Sequence, residues 1–138
     1  EFTEVQIEIG KNATEFEHRS YGEELALCQR YYQRVVNSAG GTSRTFIMGG
    51  YNSTRSFGGY TLSTPMRSDP AVTINNIKLE LLNLSSSLTV TEAKTYQTMI
   101  GSNAQGMEFK AASGITGATP YFVSFNGNNS YIAFDAEL

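Results

Sequence analysis

One stretch of this 138-residue chain repeats its apolar residues at helical spacing. Ser20 and Glu23 stand in the S-x-x-E order of a capping box, in which each satisfies a backbone donor left open at a helix start. Tyr21, Leu25, Cys28, Tyr32 and Val35 follow at spacings of 4, 3, 4 and 3. That is a heptad a/d pattern, the seam of a helix meant for another helix. Leu27 and Tyr31 widen the apolar face, and Arg30 and Arg34 complement the helix dipole near its end. The run from Asn37 to Gly41 stops it. The spacing therefore predicts an amphipathic helix over 20–37. Its face has two readings. It packs on the chain's own sheet, as amphipathic helices do, or it meets copies of itself at a symmetry axis, with Leu25 and Cys28 near the centre.

The rest of the chain has the period of strands. Upstream, Val5, Ile7 and Ile9 alternate with Glu4, Gln6 and Glu8, which predicts an extended arm over 1–19. A lone strand is unstable in water, so this arm is expected to pair elsewhere or to end an upstream domain. Downstream, strands are expected over 44–48, 71–74, 77–82, 84–91, 107–111, 121–125 and 132–136, with Tyr60 and Leu62 near another. Two Gly-Gly-Tyr triplets, at 49–51 and 58–60, read as bulges or close backbone approaches. Residues 92–100 read as loop. Asn126-Gly127-Asn128-Asn129 predicts a hairpin turn between the last two strands. The expected fold class is all-β. It is an antiparallel β-sandwich, jelly-roll-like, over 42–138, preceded by the arm and one N-terminal α-helix.

Charge and special residues narrow the function. Lys and Arg number 10 against 13 Asp and Glu, for a net charge of -3, and the cations are scattered. No basic face is offered to phosphate, so no nucleic acid is expected as a partner. No apolar run approaches the length of a spanning helix. The chain has one cysteine, Cys28, and one histidine, His18, too few for a disulfide framework or a Cys/His zinc site within one chain. Cys28 sits on the apolar stripe and reads as packing rather than as a nucleophile paired with His18. No G-x-S-x-G, P-loop, H-E-x-x-H or calcium-loop pattern occurs. Asp135 and Glu137 share a strand face, which is ordinary solvated chemistry. No catalytic residue, metal site or cofactor is expected.

What remains suits recognition. Tyr51, Phe57, Tyr60, Tyr96 and Tyr121 lie in or beside loops rich in Asn, Ser, Thr and Gly. Sugars are held by an aromatic face against their C–H groups, with amide and hydroxyl hydrogen bonds around it. Asn52, Arg55, Asn126, Asn128 and Asn129 are candidates for the polar part. The competing reading makes these tyrosines core residues and the asparagines turn formers.

Several motifs together resemble a family. Val5-Gln6-Ile7-Glu8-Ile9-Gly10, then Ala13 to Arg19, then Tyr21-Gly22-Glu23-Glu24-Leu25-Ala26-Leu27-Cys28-Gln29-Arg30-Tyr31-Tyr32, look like a signature of bacteriophage tail-fibre and tail-spike proteins. Pro65 to Thr73 and Ala133 to Leu138 are similar to the terminal domain of such proteins, whereas 92–130 shows no likeness. Glu15 stands where that signature usually has proline. The resemblance implies a homotrimeric fibre tip on the virion that attaches to the host surface, often to its polysaccharide. In such a trimer the seam Tyr21, Leu25, Cys28, Tyr32 and Val35 would face the axis. It transfers no binding residues. The resulting expectation is a non-enzymatic, receptor-binding adhesin for a bacterial surface glycan. The alternatives are a structural trimerisation or capping module and, beyond it, a glycan-cleaving domain.

Overall fold

The computed structural model describes residues 9–10, 12, 15, 18–37, 40–98 and 104–137, with only the backbone of 96–98. Apart from Ile9, the strand expected at the start of the arm lies outside the described residues. A helix, α1 (Tyr21–Gln29), is followed by nine strands: β1 (Tyr32–Val36), β2 (Thr42–Gly50), β3 (Arg55–Thr61), β4 (Ala71–Asn75), β5 (Ile77–Leu81), β6 (Ser87–Thr98), β7 (Ala104–Ala111), β8 (Pro120–Asn126) and β9 (Tyr131–Asp135). All pairings are antiparallel. The all-β expectation therefore holds. The architecture, however, is a closed six-stranded barrel, in the order β2-β3-β7-β6-β5-β8, joined to a three-stranded sheet β1-β9-β4. Closure removes the barrel's edges, which two facing sheets of a sandwich would have left open.

Three strand pairs run from the small sheet into the barrel, and all three turn at one corner. β1 leads to β2 through 37–41, β4 to β5 through Asn76, and β8 to β9 through 127–130. The expected hairpin at Asn126–Asn129 does not form. β8 and β9 lie in different sheets and are flanked by the same neighbouring chain segments on either side of the corner. The Asn-Gly signal is real, because Gly127 (φ 89) and Asn129 (φ 62) take left-handed backbone. It makes a bend within a long strand instead of a reversal. Asparagine amides tie the corner. Asn37 Nδ2 donates to Gly41 O at 3.0 Å, Asn75 Nδ2 to Asn129 O at 2.9 Å, and Asn76 Nδ2 to Asn126 O.

The helix is shorter than its heptad pattern. Its cap is the predicted one: Glu23 N–H donates to Ser20 Oγ and Ser20 N–H to the Glu23 carboxylate. It stops at Gln29, and Tyr32 and Val35 belong to β1. Tyr32-Gln33-Arg34-Val35-Val36 is aromatic and β-branched, a composition that favours a pleated surface. There Gln33 and Val35 turn inward, while Tyr32, Arg34 and Val36 turn out. Pairing with β9 also makes β1 part of the β-domain expected only from residue 42. Residues 92–98, expected as loop, are the second half of β6. Register shifts between Val90 and Glu92 and between Thr95 and Gln97 hide their alternation in the sequence.

The core is continuous. Met48, Leu79, Met107, Phe109, Tyr121, Val123 and Phe125 are buried among the barrel strands, and Ile132 and Phe134 among the strands of the small sheet. Burial of each large side chain contributes about 1.5–3 kcal/mol. Phe134 of β9 stacks on Tyr60 of β3 at 5.8 Å, joining the two parts. The glycine triplets mark close approaches: a Cβ at Gly58 would lie 2.5 Å from Met48 Sδ, and one at Gly50 would strike the Thr116 carbonyl.

Candidate recognition surface

The hairpin between β2 and β3 is built by one asparagine. Asn52 Oδ1 accepts from Thr54 N and Arg55 N, both at 2.9 Å, and from Thr54 Oγ1 at 3.2 Å. Tyr51 N–H closes the turn on Arg55 O at 2.9 Å. Loop 112–119 is pinned against this hairpin. Ala111 N and Ile115 N donate to Thr54 O and Ser53 O, and Ala118 N donates to Gly50 O. The tip is therefore held on two sides. Tyr51 emerges from it 68% exposed, edge-on to Phe57 with ring centroids 5.3 Å apart.

From Phe57 the surface continues across three strands. Phe57 of β3 lies opposite Glu108 of β7, and Glu108 lies opposite Lys94 of β6. One register step along, Lys110 Nζ meets Glu92 Oε2 at 2.7 Å. Glu108 sits with Arg55 Nε at 3.7 Å on one side and Lys94 Nζ at 3.8 Å on the other. The hydrogen bond from Lys110 holds the Glu92 carboxyl below its ordinary range, and the charges of Lys110, Lys94 and Arg55 act the same way. Aromatic rings, cations and carboxylates thus form one outward face of the barrel.

The residues expected to bind a ligand divide. Tyr51, Arg55 and Phe57 come together on this face. Asn52 lies among them, but its oxygen is occupied by the turn. Tyr60 points inward, stacked on Phe134 and 5.0 Å from the Phe46 ring, and burial pushes its hydroxyl pKa up. Tyr121 is buried, and its hydroxyl accepts from Thr116 N at 2.8 Å. Both are structural, for an aromatic at an inward position of a barrel strand is core. Asn126 and Asn128 belong to the corner at the far end of β8, whereas Tyr51 follows the opposite end of β2. They cannot share a ligand of ordinary size with Tyr51. Tyr96 lies in β6, its side chain outside the described residues. Sequence reading missed Glu108, Lys94 and Lys110 as a set. The available signal was alternation: Glu92 and Lys94 flank Ala93, and Glu108 and Lys110 flank Phe109.

A second surface involves the helix. Tyr21, Leu25, Leu27, Tyr31, Tyr32 and Val36 are exposed, as is Cys28. Cys28, expected as packing, is not covered by the chain's own sheet. The expected seam is broken. Tyr21, Leu25 and Cys28 lie on α1, Tyr32 faces out from β1, and Val35 faces the core. A groove of about 510 Å³ runs between α1, β1 and the end of β3, past Leu25, Tyr32, Val36 and Tyr60. β1 has no second strand beside it among the described residues. Ala136 N donates to Tyr31 O and Asn37 N to Ser130 O. By antiparallel alternation the backbone groups of Tyr32, Arg34 and Val36 therefore face away from β9.

Among the described residues no group of three His, Cys, Asp or Glu side chains is placed to hold a metal ion. No described helix is long and apolar enough to cross a membrane. Comparison with protein-family models, curated proteins and solved structures gives no match.

Proposed function

We propose that this chain is a non-enzymatic recognition head that binds a cell-surface glycan and works as a homotrimer, in the manner of a phage tail-fibre tip on the virion. One observation carries the binding part. Tyr51, Arg55 and Phe57, separate candidates in the sequence, converge on a single outward face with Glu108 and Lys94 beside them. An exposed ring next to hydrogen-bonding charges is the chemistry that saccharides need: apolar contact for C–H groups and directional partners for hydroxyls. The hairpin and loop beneath are tied by backbone bonds, so the face is preorganised and loses little freedom on binding.

The assembly part is supported by the groove at α1 and β1, where exposed Leu25, Tyr32 and Val36 stand beside Gln29 and Arg34 and which the single chain leaves open. The same groove favours the second reading, a trimerisation module whose ligand is bound elsewhere. A microarray of bacterial surface polysaccharides separates the two. Retention of the chain on at least one of them, abolished in Tyr51→Ala, is the expected result. No retention on any polysaccharide, with a trimer in sedimentation, leaves the assembly reading alone.

A further inference from the structure

We infer that Glu108 is the hydroxyl anchor of a subsite for a neutral pyranose on the outer face of β3, β7 and β6, an inference that rests on the glycan-binding reading above. Glu108 is an anomaly in its strand. Met107, Phe109 and Ala111 fill the barrel core, as alternation requires, yet Glu108 between them is only 2% exposed on the other face. Its Oε1 accepts no hydrogen bond. Arg55 Nε and Lys94 Nζ stand at 3.7 and 3.8 Å, close enough to balance the charge and too far to satisfy the oxygens. A buried carboxylate oxygen left in that state is an acceptor waiting for a donor.

Its cover can open. Arg55 and Lys94 are 44% and 48% exposed, on long side chains that no hydrogen bond fixes to the carboxylate. A ligand would reach Glu108 by displacing these two side chains. The third cation, Lys110, is already engaged by Glu92 at 2.7 Å. Phe57 lies opposite Glu108, and the exposed Tyr51 ring rests against Phe57.

The ligand class follows from the charges. Glu108 requires a donor. A cationic donor meets Arg55 and Lys94, and an anionic sugar brings a second carboxylate against Glu108. A neutral polyol suits all three groups. Two adjacent hydroxyls donate to the two carboxylate oxygens, other sugar oxygens accept from Arg55 and Lys94, and a C–H face lies on the aromatic pair.

The test uses the whole chain against immobilised neutral hexopyranosides, their single-deoxy analogues and uronic-acid glycans. Neutral hexopyranosides should bind, and loss of one hydroxyl of an adjacent pair should weaken binding about tenfold or more. Glu108→Gln should weaken it to a similar degree. Where that variant does not fold, the deoxy series on the unaltered chain decides. Binding confined to uronic acids, or indifferent to every single deoxygenation, overturns the Glu108 subsite and leaves glycan recognition standing. Absence of binding to any glycan overturns the recognition reading itself, and the subsite falls with it.

Discussion

Ser63 donates both its backbone N–H and its hydroxyl to Gln33 Oε1, at 3.1 and 2.7 Å. On its other side Gln33 Nε2 donates to Thr64 O at 2.7 Å and Gln29 O at 3.0 Å. One buried amide thus joins the end of α1, strand β1 and the segment after β3. Gln33→Leu removes these four bonds, and a fifth from Nε2 to Met66 Sδ, and leaves Thr64 O and Gln29 O without this donor. The expected loss is about 2–3 kcal/mol in urea unfolding. Gln33→Glu should fare no better, because a carboxylate cannot donate to the two carbonyls. A loss below about 0.5 kcal/mol in both variants would show that the segment is held by other means.

Three of the four candidate tyrosines, Tyr51, Tyr60 and Tyr121, should behave differently from one another. Tyr51→Ala removes an exposed ring and should change stability by less than about 1 kcal/mol, while cutting glycan retention about tenfold or more. Tyr121→Phe loses the hydroxyl that accepts from Thr116 N, and should cost about 0.5–1.5 kcal/mol. Tyr60→Ala removes a half-buried ring that packs on Phe46 and Phe134 and should cost about 2–3 kcal/mol, below the cost of truncating a fully buried aromatic. Thermal unfolding of the three proteins side by side checks the order. A large destabilisation in Tyr51→Ala would contradict the surface assignment.

The difference between these tyrosines shows where sequence reading stops. Period-two alternation exposes a strand, and it did so for β7 and β9. It does not say which strands close a barrel, so it leaves open whether Tyr60 and Tyr121, beside loops, face the core or a ligand. The heptad spacing of Tyr21 to Val35 was compatible with one long helix. Gln33 decides against it, because its amide is needed by Ser63 and Thr64, 30 and 31 residues away in sequence. The capping box at Ser20 was legible because both partners lie within one turn. Asn126-Gly127 was legible as a bend, but the partners that make it a corner, Asn37 and Asn76, are remote. Glu108 was visible only as one carboxylate among several. The cations that stand beside it, Arg55 and Lys94, lie on two other strands.

Acid should weaken the protein through two carboxylates. Glu92 is held below its ordinary range chiefly by the Lys110 hydrogen bond, and Glu23 by the backbone N–H and hydroxyl of Ser20. A lowered folded-state pKa means stability that is fully present above the unfolded value of 4.5 and lost as pH falls through the lower folded value. Between pH 7 and 5 the two groups should contribute nothing to pH dependence. Below pH 4.5 the melting temperature should decline, and less steeply in Glu92→Gln than in the unaltered chain. Lys110→Met should reproduce the Glu92→Gln slope. Both groups are solvent-exposed, so the differences should be small and should shrink in high salt. Parallel slopes for all three proteins would remove Glu92 from the acid transition.

Tyr32 and Val35 separate assembly from folding. They share β1, but Tyr32 is 47% exposed and Val35 packs against the core. If the open groove between α1, β1 and β3 is where copies meet, Tyr32→Arg and Leu25→Arg place charge in the contact and nowhere else. Each should leave the melting temperature of the dissociated chain within a few degrees. Each should also lower the apparent mass in sedimentation equilibrium from trimer toward monomer. Val35→Asp should behave in the opposite way. It buries a carboxylate against apolar neighbours, and the whole β-domain should unfold at lower denaturant with assembly lost as a consequence. A trimer that survives both Arg substitutions with unchanged affinity would move the interface away from this groove. A chain monomeric before any substitution, at high concentration, would remove the trimer altogether.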